Sequence, residues 1–289
     1  MRPERLVVPH RNTKALRLID NLNLPTPSVM GVLNVTPDSF SDGGRYADLD
    51  SARRQAERMA LAGASIIDIG GESTRPGADP VSESEEIERV IPVIDAVRSV
   101  SDVVISIDTS KPAVMRAAVS SGAGIINDVM ALQEAGALAA AADLGVAVCL
   151  MHMQGRPRTM QASPHYDDVV TEVGDFLSKR INHCVAAGID RDRIMIDPGF
   201  GFGKTRTHNI ELLANLRQLT HMGLPMLVGL SRKATLGELT GKEVTDRMPA
   251  SVAAAVIAVL NGASIVRAHD VGETVDALRV VTAVMEAGT

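Results

Sequence analysis

The feature that most constrains the fold is a pattern that recurs eight times along the chain. Each repeat is a short apolar, β-branched run that ends in a polar residue and is followed by a stretch of helical, often Ala-rich character. Continuous apolar runs are typical of parallel strands that are buried on both faces. The runs are Val29–Leu33, Ser65–Ile69, Val103–Ile107, Ile125–Ile126, Val146–Met151, Arg193–Ile196, Met226–Gly229 and Ser264–Ala268.

The spacing of these runs predicts one α/β domain. Their starts advance by about 34 residues on average, a plausible length for a strand–helix unit. No low-complexity segment or linker divides the 289 residues. We therefore predict a (β/α)8 TIM barrel over residues 29–289, in preference to a doubly wound sheet. Residues 1–28 form an N-terminal extension, in which residues 16–19 are expected to be a strand or hairpin that caps the bottom of the barrel.

The composition excludes several classes of function. The net charge of -6 and pI near 5.7 provide no global basic field for nucleic acid. Aromatic residues make up 2% of the chain, too few for a platform that stacks single strands. Two cysteines, Cys149 and Cys184, cannot form a disulfide framework, so we expect a cytoplasmic protein. We expect neither a membrane span nor a signal peptide, because the apolar runs are short and residues 1–14 are polar.

Polar residues close every predicted strand, and active sites of such barrels lie at the carboxyl ends of the strands. A lone Asp or Asn there is explained at least as well by helix capping. Polar residues at eight strand ends on one rim favour a polar pocket. They are Asn34, Asp68 with the segment to Arg75, Asp108, Asn127 and Asp128, His152, Asp197, Ser231 to Lys233, and Arg267 with His269 and Asp270.

This inventory suggests the chemistry of a ligand. The carboxylates Asp108 and Asp197 and the amide of Asn127 can bind the guanine-like edge of a flat heterocycle. Cationic groups on the same rim could neutralise phosphates, which would suit a ligand that joins a ring to a diphosphate. These groups are Arg75, Lys233, Arg267 and His269.

Two other patterns are rejected. Residues 199–205 resemble the end of a P-loop, but Pro198 stands where its first Gly is required. The dinucleotide fingerprint fails because Lys204 occupies its third Gly position. His152 has no His or Cys at a recognisable ligand spacing, so we interpret it as a hydrogen-bonded structural residue.

Several motifs resemble the signatures of dihydropteroate synthases, in the family's order, over roughly residues 16 to 285. Met30 to Gly44 is similar to the first signature, and Gly70 to Gly77 to the second. The others are Ser106 to Thr109, Ile126 to Asp128, Cys149 to Met153, Asp197 to Lys204, Ser231 to Lys233 and Arg267 to Asp270. The resemblance implies a transferase of folate biosynthesis and a sulfonamide target. In its reaction, 6-hydroxymethyl-7,8-dihydropterin diphosphate and 4-aminobenzoate give 7,8-dihydropteroate and pyrophosphate.

Carried over position by position, the resemblance implies a role for each site residue. Asp108, Asn127, Asp197 and Lys233 would hold the pterin. Asn34 would contact a Mg2+ bound to the diphosphate. Such an enzyme typically forms a homodimer, so a homodimer is expected here.

The leaving group and the first loop are assigned in the same way. Thr74, Arg75, Arg267 and His269 would hold the pyrophosphate, and Thr74 and Arg75 could also shape the second pocket. Asp42 would belong, with Phe40, to a mobile first loop that closes over the site. The catalytic residues expected from the resemblance are Asp42, Lys233, Arg267 and His269.

The aminobenzoate pocket would be lined by Phe202, Pro76 and the stem of Lys233. Met151 ends a strand and could line the pocket wall. Ala234 departs from the family, because many relatives carry Ser there, a group expected to help bind the aminobenzoate carboxylate.

The expected chemistry is an SN1-like displacement. Loss of pyrophosphate can precede attack and leave a delocalised cation, while cationic groups stabilise the leaving group. The aromatic amine is already neutral, so no strong general base is required. Two alternatives remain open. The chain could be a catalytically silent pterin-binding paralogue, or a barrel that presents methyltetrahydrofolate to a corrinoid protein.

Overall fold

A computed structural model describes residues 16–35, 44–74 and 77–287. Within these ranges, eight strands form one sheet whose hydrogen-bonded neighbours are parallel. The strands are β1 (Ser28–Asn34), β2 (Ile66–Gly70), β3 (Val104–Asp108), β4 (Ile125–Asp128), β5 (Ala147–Met151), β6 (Ile194–Asp197), β7 (Leu227–Val228) and β8 (Ile265–Ala268). Their order in the sheet is β6-β5-β4-β3-β2-β1-β8-β7.

One bridge closes this sheet into a barrel. Ile196 of β6 pairs in parallel with Met226, just before β7, and its N–H donates to the carbonyl of Pro225 at 3.0 Å. The (β/α)8 TIM barrel is therefore confirmed. Each strand begins and ends within about two residues of its predicted run, because an apolar run bounded by polar residues marks a buried strand directly.

Helices alternate with the strands and, apart from α1, cover the outside of the barrel. They are α1 (Leu16–Asn21), α2 (Gly44–Leu61), α3 (Glu83–Arg98), α4 (Pro112–Ser120), α5 (Ala137–Leu144), α6 (Val169–Ala186), α7 (Arg206–Ala214), α8 (Ala234–Thr240), α9 (Met248–Leu260) and α10 (Val271–Ala287). Short 3-10 turns lie at Arg191–Arg193, Leu216–Met222 and Val244–Asp246. None of the described helices is long and apolar enough to cross a membrane.

The N-terminal segment corrects one expectation. A strand or hairpin was expected at residues 16–19, but the structure has helix α1 there. Leu18 and Ile19 are consecutive, so a strand would point them to opposite faces, whereas one helical turn buries both. They pack against inward side chains near the amino ends of the strands, among them Met30, Ile66 and Ile265. Helix α1 therefore lies at the amino ends of the strands.

The core is built from aliphatic side chains and Met, as the scarcity of aromatic residues requires. Phe200 is the largest fully buried side chain. Helix α9 is apolar on every face over residues 252–260, yet Ile257 is 45% exposed while Ala254, Ala255 and Ala258 are buried. A helix in the outer layer of a barrel buries only the face toward the strands.

Candidate active site

The strand register brings the predicted polar residues together at the carboxyl ends of the strands. Gly70 of β2 lies beside Asp108 of β3, which lies beside Asn127 of β4. On the neighbouring strands, Met151 of β5 is paired with Asp197 of β6. The fold thus places one amide and two carboxylates on the same rim, as the sequence predicted.

Arg267 of β8 reaches across the barrel to organise this rim. Its Nε donates to Asp68 Oδ2 at 2.7 Å, and its Nη2 donates to Asp108 Oδ2 at 3.0 Å. The Nδ2 of Asn127 donates to the same Asp68 oxygen at 3.1 Å, which leaves the amide oxygen of Asn127 as an acceptor. Asp68 is almost fully buried, and its other oxygen, Oδ1, has no hydrogen-bond partner.

The sequence placed Asp68 among the polar residues of the rim but gave it no specific role, although it forms the centre of this network. The available signal was a carboxylate within the apolar strand Ile66–Gly70, whose other positions are buried Ile and Gly. A buried carboxylate requires a hydrogen-bonding or charged partner. The partner of Asp68 is Arg267, which is distant in the sequence.

Burial makes the network acid-sensitive. Desolvation and the nearby Asp68 raise the pKa of Asp108 to about 7, despite the opposing effect of Arg267. Burial alone would lower the pKa of Arg267, but the contacts with Asp68 and Asp108 outweigh it and raise the pKa. With both acids ionised, two carboxylates share one guanidinium, and the surplus negative charge suits a ligand rich in N–H donors.

Asp197 and Lys233 form the other side of the site. Asp197 is buried, and its Oδ1 accepts the N–H of Gly199 at 2.7 Å. Burial raises the pKa of Asp197, an effect that the nearby Lys233 partly offsets. The Lys233 ammonium donates to the carbonyl of Phe200 and lies 4.5 Å from the centre of the Phe202 ring. Burial lowers the pKa of Lys233 to about 8, although Asp197 acts against it.

An apolar wall adjoins these charges. Met151 packs with Val129, Met153 and Met160, and Phe202 packs against the same cluster. Met151 and Phe202 therefore contribute to one surface, next to the ammonium of Lys233. A flat aromatic ligand fits between such a wall and the polar groups.

The loop after β6 is held by a buried lysine. The Nζ of Lys204 lies 2.9 Å from His152 Nδ1 and donates to the carbonyls of Gly199 and Phe202 at 2.8 and 3.1 Å. Burial and the neighbouring Lys204 lower the pKa of His152 to about 2, so this ring is neutral. The structural interpretation of His152 is supported, and Lys204 points into the protein instead of toward a phosphate.

His269 and Asn34 lie at the ends of their strands. His269 follows β8, and its Nδ1 lies 3.0 Å from Ser231 Oγ. Asn34 ends β1 beside Gly70, the residue that pairs with Asp108 on its other side. Among the described residues, no group of three His, Cys, Asp or Glu side chains is arranged to hold a metal.

A cavity of about 570 Å3 opens between the loops that follow β2 to β5. Its wall includes Thr74, Asp108, Lys111, Met130 and Arg156. Thr74 thus faces the same cavity as Asp108. The remaining predicted site residues lie outside the described residues, and they are Phe40, Asp42, Arg75 and Pro76.

Not every polar residue at a strand end serves the pocket. Asp128 is fully buried, and its oxygens accept the N–H groups of Met130 and Leu132 at 2.8 and 2.7 Å. It also accepts a hydrogen bond from Ser110. These bonds organise the turn after β4, so Asp128 is explained by local structure, the alternative to a site role considered for any lone Asp.

A closed (β/α)8 barrel with buried carboxylates, an arginine and a lysine on its rim defines an enzyme that binds an N–H-rich heterocycle. Comparison with known proteins agrees. The family model of pterin binding enzymes matches residues 30–269. The dihydropteroate synthase of Escherichia coli (strain K12) is 54% identical over 267 residues, which cover 92% of this chain and 95% of that protein.

Solved structures give the same result. The Yersinia pestis dihydropteroate synthase in complex with a sulfonamide drug has a TM-score of 0.87 and 54% identity, covering 92% of this chain and 96% of that one. The Xanthomonas albilineans dihydropteroate synthase with 4-aminobenzoic acid has a TM-score of 0.85 and 54% identity, covering 90% and 93%. The chain belongs to the pterin binding enzyme family. Within that family it falls among the dihydropteroate synthases, which are transferases.

Proposed function

We propose that this chain condenses 6-hydroxymethyl-7,8-dihydropterin diphosphate with 4-aminobenzoate, giving 7,8-dihydropteroate and pyrophosphate. The observation that carries the proposal is the buried network in which Arg267 bridges Asp68 and Asp108 and leaves acceptors toward the pocket. A dihydropterin presents an exocyclic amine and a ring N–H side by side, the donor pair that carboxylates bind best. Asp108, Asn127 and Asp197 serve as these acceptors, and Lys233 is a donor for the ring's own acceptor atoms.

The second substrate fits beside the apolar wall. The ring of 4-aminobenzoate packs near Phe202 and the stem of Lys233, close to Met151. Its amine is then directed at the pterin methylene, and its carboxylate at the outer part of the site. Ala234 supplies no hydroxyl, so a backbone N–H takes the role of the Ser of other family members. The sulfonamide bound to the Yersinia pestis relative leads us to expect that sulfonamides compete for this pocket.

The leaving group lies toward Thr74, Arg267 and His269. In the proposed mechanism the C–O bond to the diphosphate breaks first, and the electron pair leaves with pyrophosphate. The buried carboxylates stabilise the delocalised cation on the ring. The amine of aminobenzoate then attacks the methylene and loses its proton to solvent. Asp42 and Arg75 complete the proposed catalytic and phosphate-binding set.

Mg2+ is the proposed cofactor. Asn34 offers a hard amide oxygen at the end of β1, near the carboxylate of Asp108. This sparse donor set fits Mg2+, which keeps several waters and is usually held by few protein groups together with substrate phosphates. When bound, the ion would neutralise charge on the diphosphate and so ease its departure.

The test is pyrophosphate release by the purified protein with both substrates and Mg2+. We expect release that depends on 4-aminobenzoate. Pterin diphosphate binding without release would identify the catalytically silent paralogue. Methyl transfer to a corrinoid partner would identify the third candidate, and either result overturns the proposal.

Two further parts of the proposal concern the molecule in the cell. We propose a homodimer, because α9 and α10 pack against each other and both expose apolar side chains. Ile257 is 45% exposed, Val280 65% and Val284 64%. We also propose a cytoplasmic location, since Cys149 and Cys184 are both free thiols, as is typical of reducing compartments.

A further inference from the structure

A cluster of one lysine and two glutamates lies beside the pterin network and has no role in the mechanism above. The Nζ of Lys111 lies 2.7 Å from Glu72 Oε2 and 2.5 Å from Glu86 Oε2. Glu86 is fully buried, and its other oxygen, Oε1, has no partner. Lys111 and Glu72 are about three-quarters buried. A pair so enclosed is screened far less than a surface salt bridge.

The cluster joins three separate parts of the barrel. Glu72 belongs to the loop after β2, two residues before Thr74. Glu86 lies in the first turn of α3. Lys111 is the N-cap of α4, three residues after Asp108, and its N–H donates to Thr109 Oγ1 at 3.3 Å. The ammonium therefore ties the loop that carries Thr74 to the strand end that carries Asp108.

Glu72 uses its second oxygen to hold the far end of the same loop. Its Oε1 accepts the N–H of Val81 at 3.1 Å. Next to it, the carbonyl of Gly71 accepts a hydrogen bond from Arg89 of α3 at 2.8 Å. A Cβ on Gly71 would come within 2.9 Å of Glu86 and 2.8 Å of Val90, so the loop lies directly on α3. The Glu72 side chain therefore joins the two ends of the segment from Glu72 to Val81. Lys111 in turn binds this side chain.

We propose that Lys111, through its ion pair with Glu72, is a positioning residue that fixes the Thr74 side of the active site against the pterin side. It acts through Glu72, which sets where Thr74 lies relative to Asp108. This inference rests on the proposed function, since its consequence is measured in that reaction.

The test separates positioning from general stability. Glu72→Gln keeps an oxygen for the N–H of Val81 and leaves the Lys111–Glu86 pair intact, but removes the charge that ties the loop. We expect the KM for the pterin diphosphate to rise about tenfold, the effect of losing one charge-assisted hydrogen bond, because Thr74 lies on the leaving-group side. The affinity for 6-hydroxymethylpterin, measured by calorimetry without aminobenzoate, stays within about twofold, since Asp108, Asn127 and Asp197 keep their contacts.

Two companion variants complete the experiment. Lys111→Arg keeps a cation that can reach both carboxylates, so its KM should stay near the wild-type value. Arg116→Met removes a cation of the same helix, α4, whose partner Asp143 is exposed, and should change neither constant. A wild-type KM in Glu72→Gln, or an equal loss of pterin affinity, overturns the inference. If the wild-type protein releases no pyrophosphate, it is the proposed function that fails.

Discussion

Asp68 serves two site residues with a single oxygen, since Asn127 and Arg267 both donate to its Oδ2. This arrangement orients an amide and a guanidinium at once, and neither can rotate without breaking a bond to a buried charge. The Oδ1 of Asp68 and the Oγ of Ser106, on the adjacent strand, are both buried without partners. The barrel interior therefore keeps unused acceptor capacity close to the proposed pterin site.

We predict that Asp68→Asn lowers kcat/KM for the pterin substrate by roughly ten- to a hundredfold. The charge that holds Arg267 is lost, and hydrogen bonds to charged groups contribute about 1.5–3 kcal/mol each. Steady-state kinetics of pyrophosphate release measure the effect. Asp143→Asn, at an exposed ion pair, is the matched control and should leave the constants unchanged. Wild-type kinetics in Asp68→Asn would show that Asp68 has no part in the site.

A second prediction at this scale concerns pH. Burial and the neighbouring Asp68 raise the folded-state pKa of Asp108 from its usual 3.8 to about 7, so between these values the folded protein holds a proton that the unfolded chain has lost. By linkage, this group stabilises the ligand-free fold at low pH, and its contribution falls as pH rises to 7. Asp108→Asn removes the dependence.

The measurement is urea unfolding of wild type and Asp108→Asn at pH 5 and pH 8. From pH 5 to pH 8, the free energy of unfolding of the variant should rise by about 1–3 kcal/mol relative to that of wild type. One pKa unit corresponds to about 1.36 kcal/mol. A constant difference for Asp108→Asn contradicts the raised pKa.

The sequence predicts site residues that lie at strand ends, but not those whose role depends on distant contacts. Asp108, Asn127, Asp197, Lys233 and Arg267 were predictable because each lies at or just after the carboxyl end of a strand, and the fold collects these ends. Asp68 and Lys111 were not assigned, because their roles depend on contacts with residues far away in the chain. The hydrogen bond from Arg267 to Asp68 spans 199 positions, and no local pattern encodes it.

At the scale of elements, the loop between β6 and α7 is the most tightly fitted part of the site. Gly199 has φ +69°, and a Cβ there would lie 1.8 Å from the carbonyl oxygen of His152. The same residue donates its N–H to Asp197. The loop can approach β5 this closely only because the position has no side chain.

We predict that Gly199→Ala destabilises the fold and weakens pterin binding together, because moving the loop also removes the N–H that orients Asp197. Gly188→Ala is the matched control, since Gly188 also has positive φ, at +93°, but has no atom within 4 Å of the added Cβ. The control should lose about 1–2 kcal/mol from backbone strain alone. Thermal unfolding and calorimetry with pterin compare the two, and equal effects would contradict the close-contact argument.

The type of an element was predicted correctly where the sequence pattern was long, and wrongly where it was short. The strands were located because each apolar run is buried on both faces. Helix α1 has six residues, too few for a period to be recognised, and its state is decided by packing against the barrel floor. The connection from β7 to β8 contains two helices, α8 and α9, where the repeat predicted one.

At the scale of the whole molecule, the proposed dimer can be tested through the exposed face of α9 and α10. We predict that the double variant Val280→Glu/Val284→Glu is monomeric, because burying two carboxylates without partners opposes association. Sedimentation velocity measures the change. Leu239→Glu, on α8 at a residue 53% exposed, is the control and should remain dimeric. A monomeric wild type would reject the homodimer itself.

The barrel closes between β6 and β7. Strands β6 and β7 are joined by one bridge, whereas each other neighbouring pair shares a ladder of at least two residue pairs. The gene could be divided in the segment before β7, so that one polypeptide carries Asp197 and another carries Lys233. Neither fragment would contain a complete pocket. Turnover would then show that two separately expressed fragments had associated. The divided barrel would thus serve as a reporter of protein association.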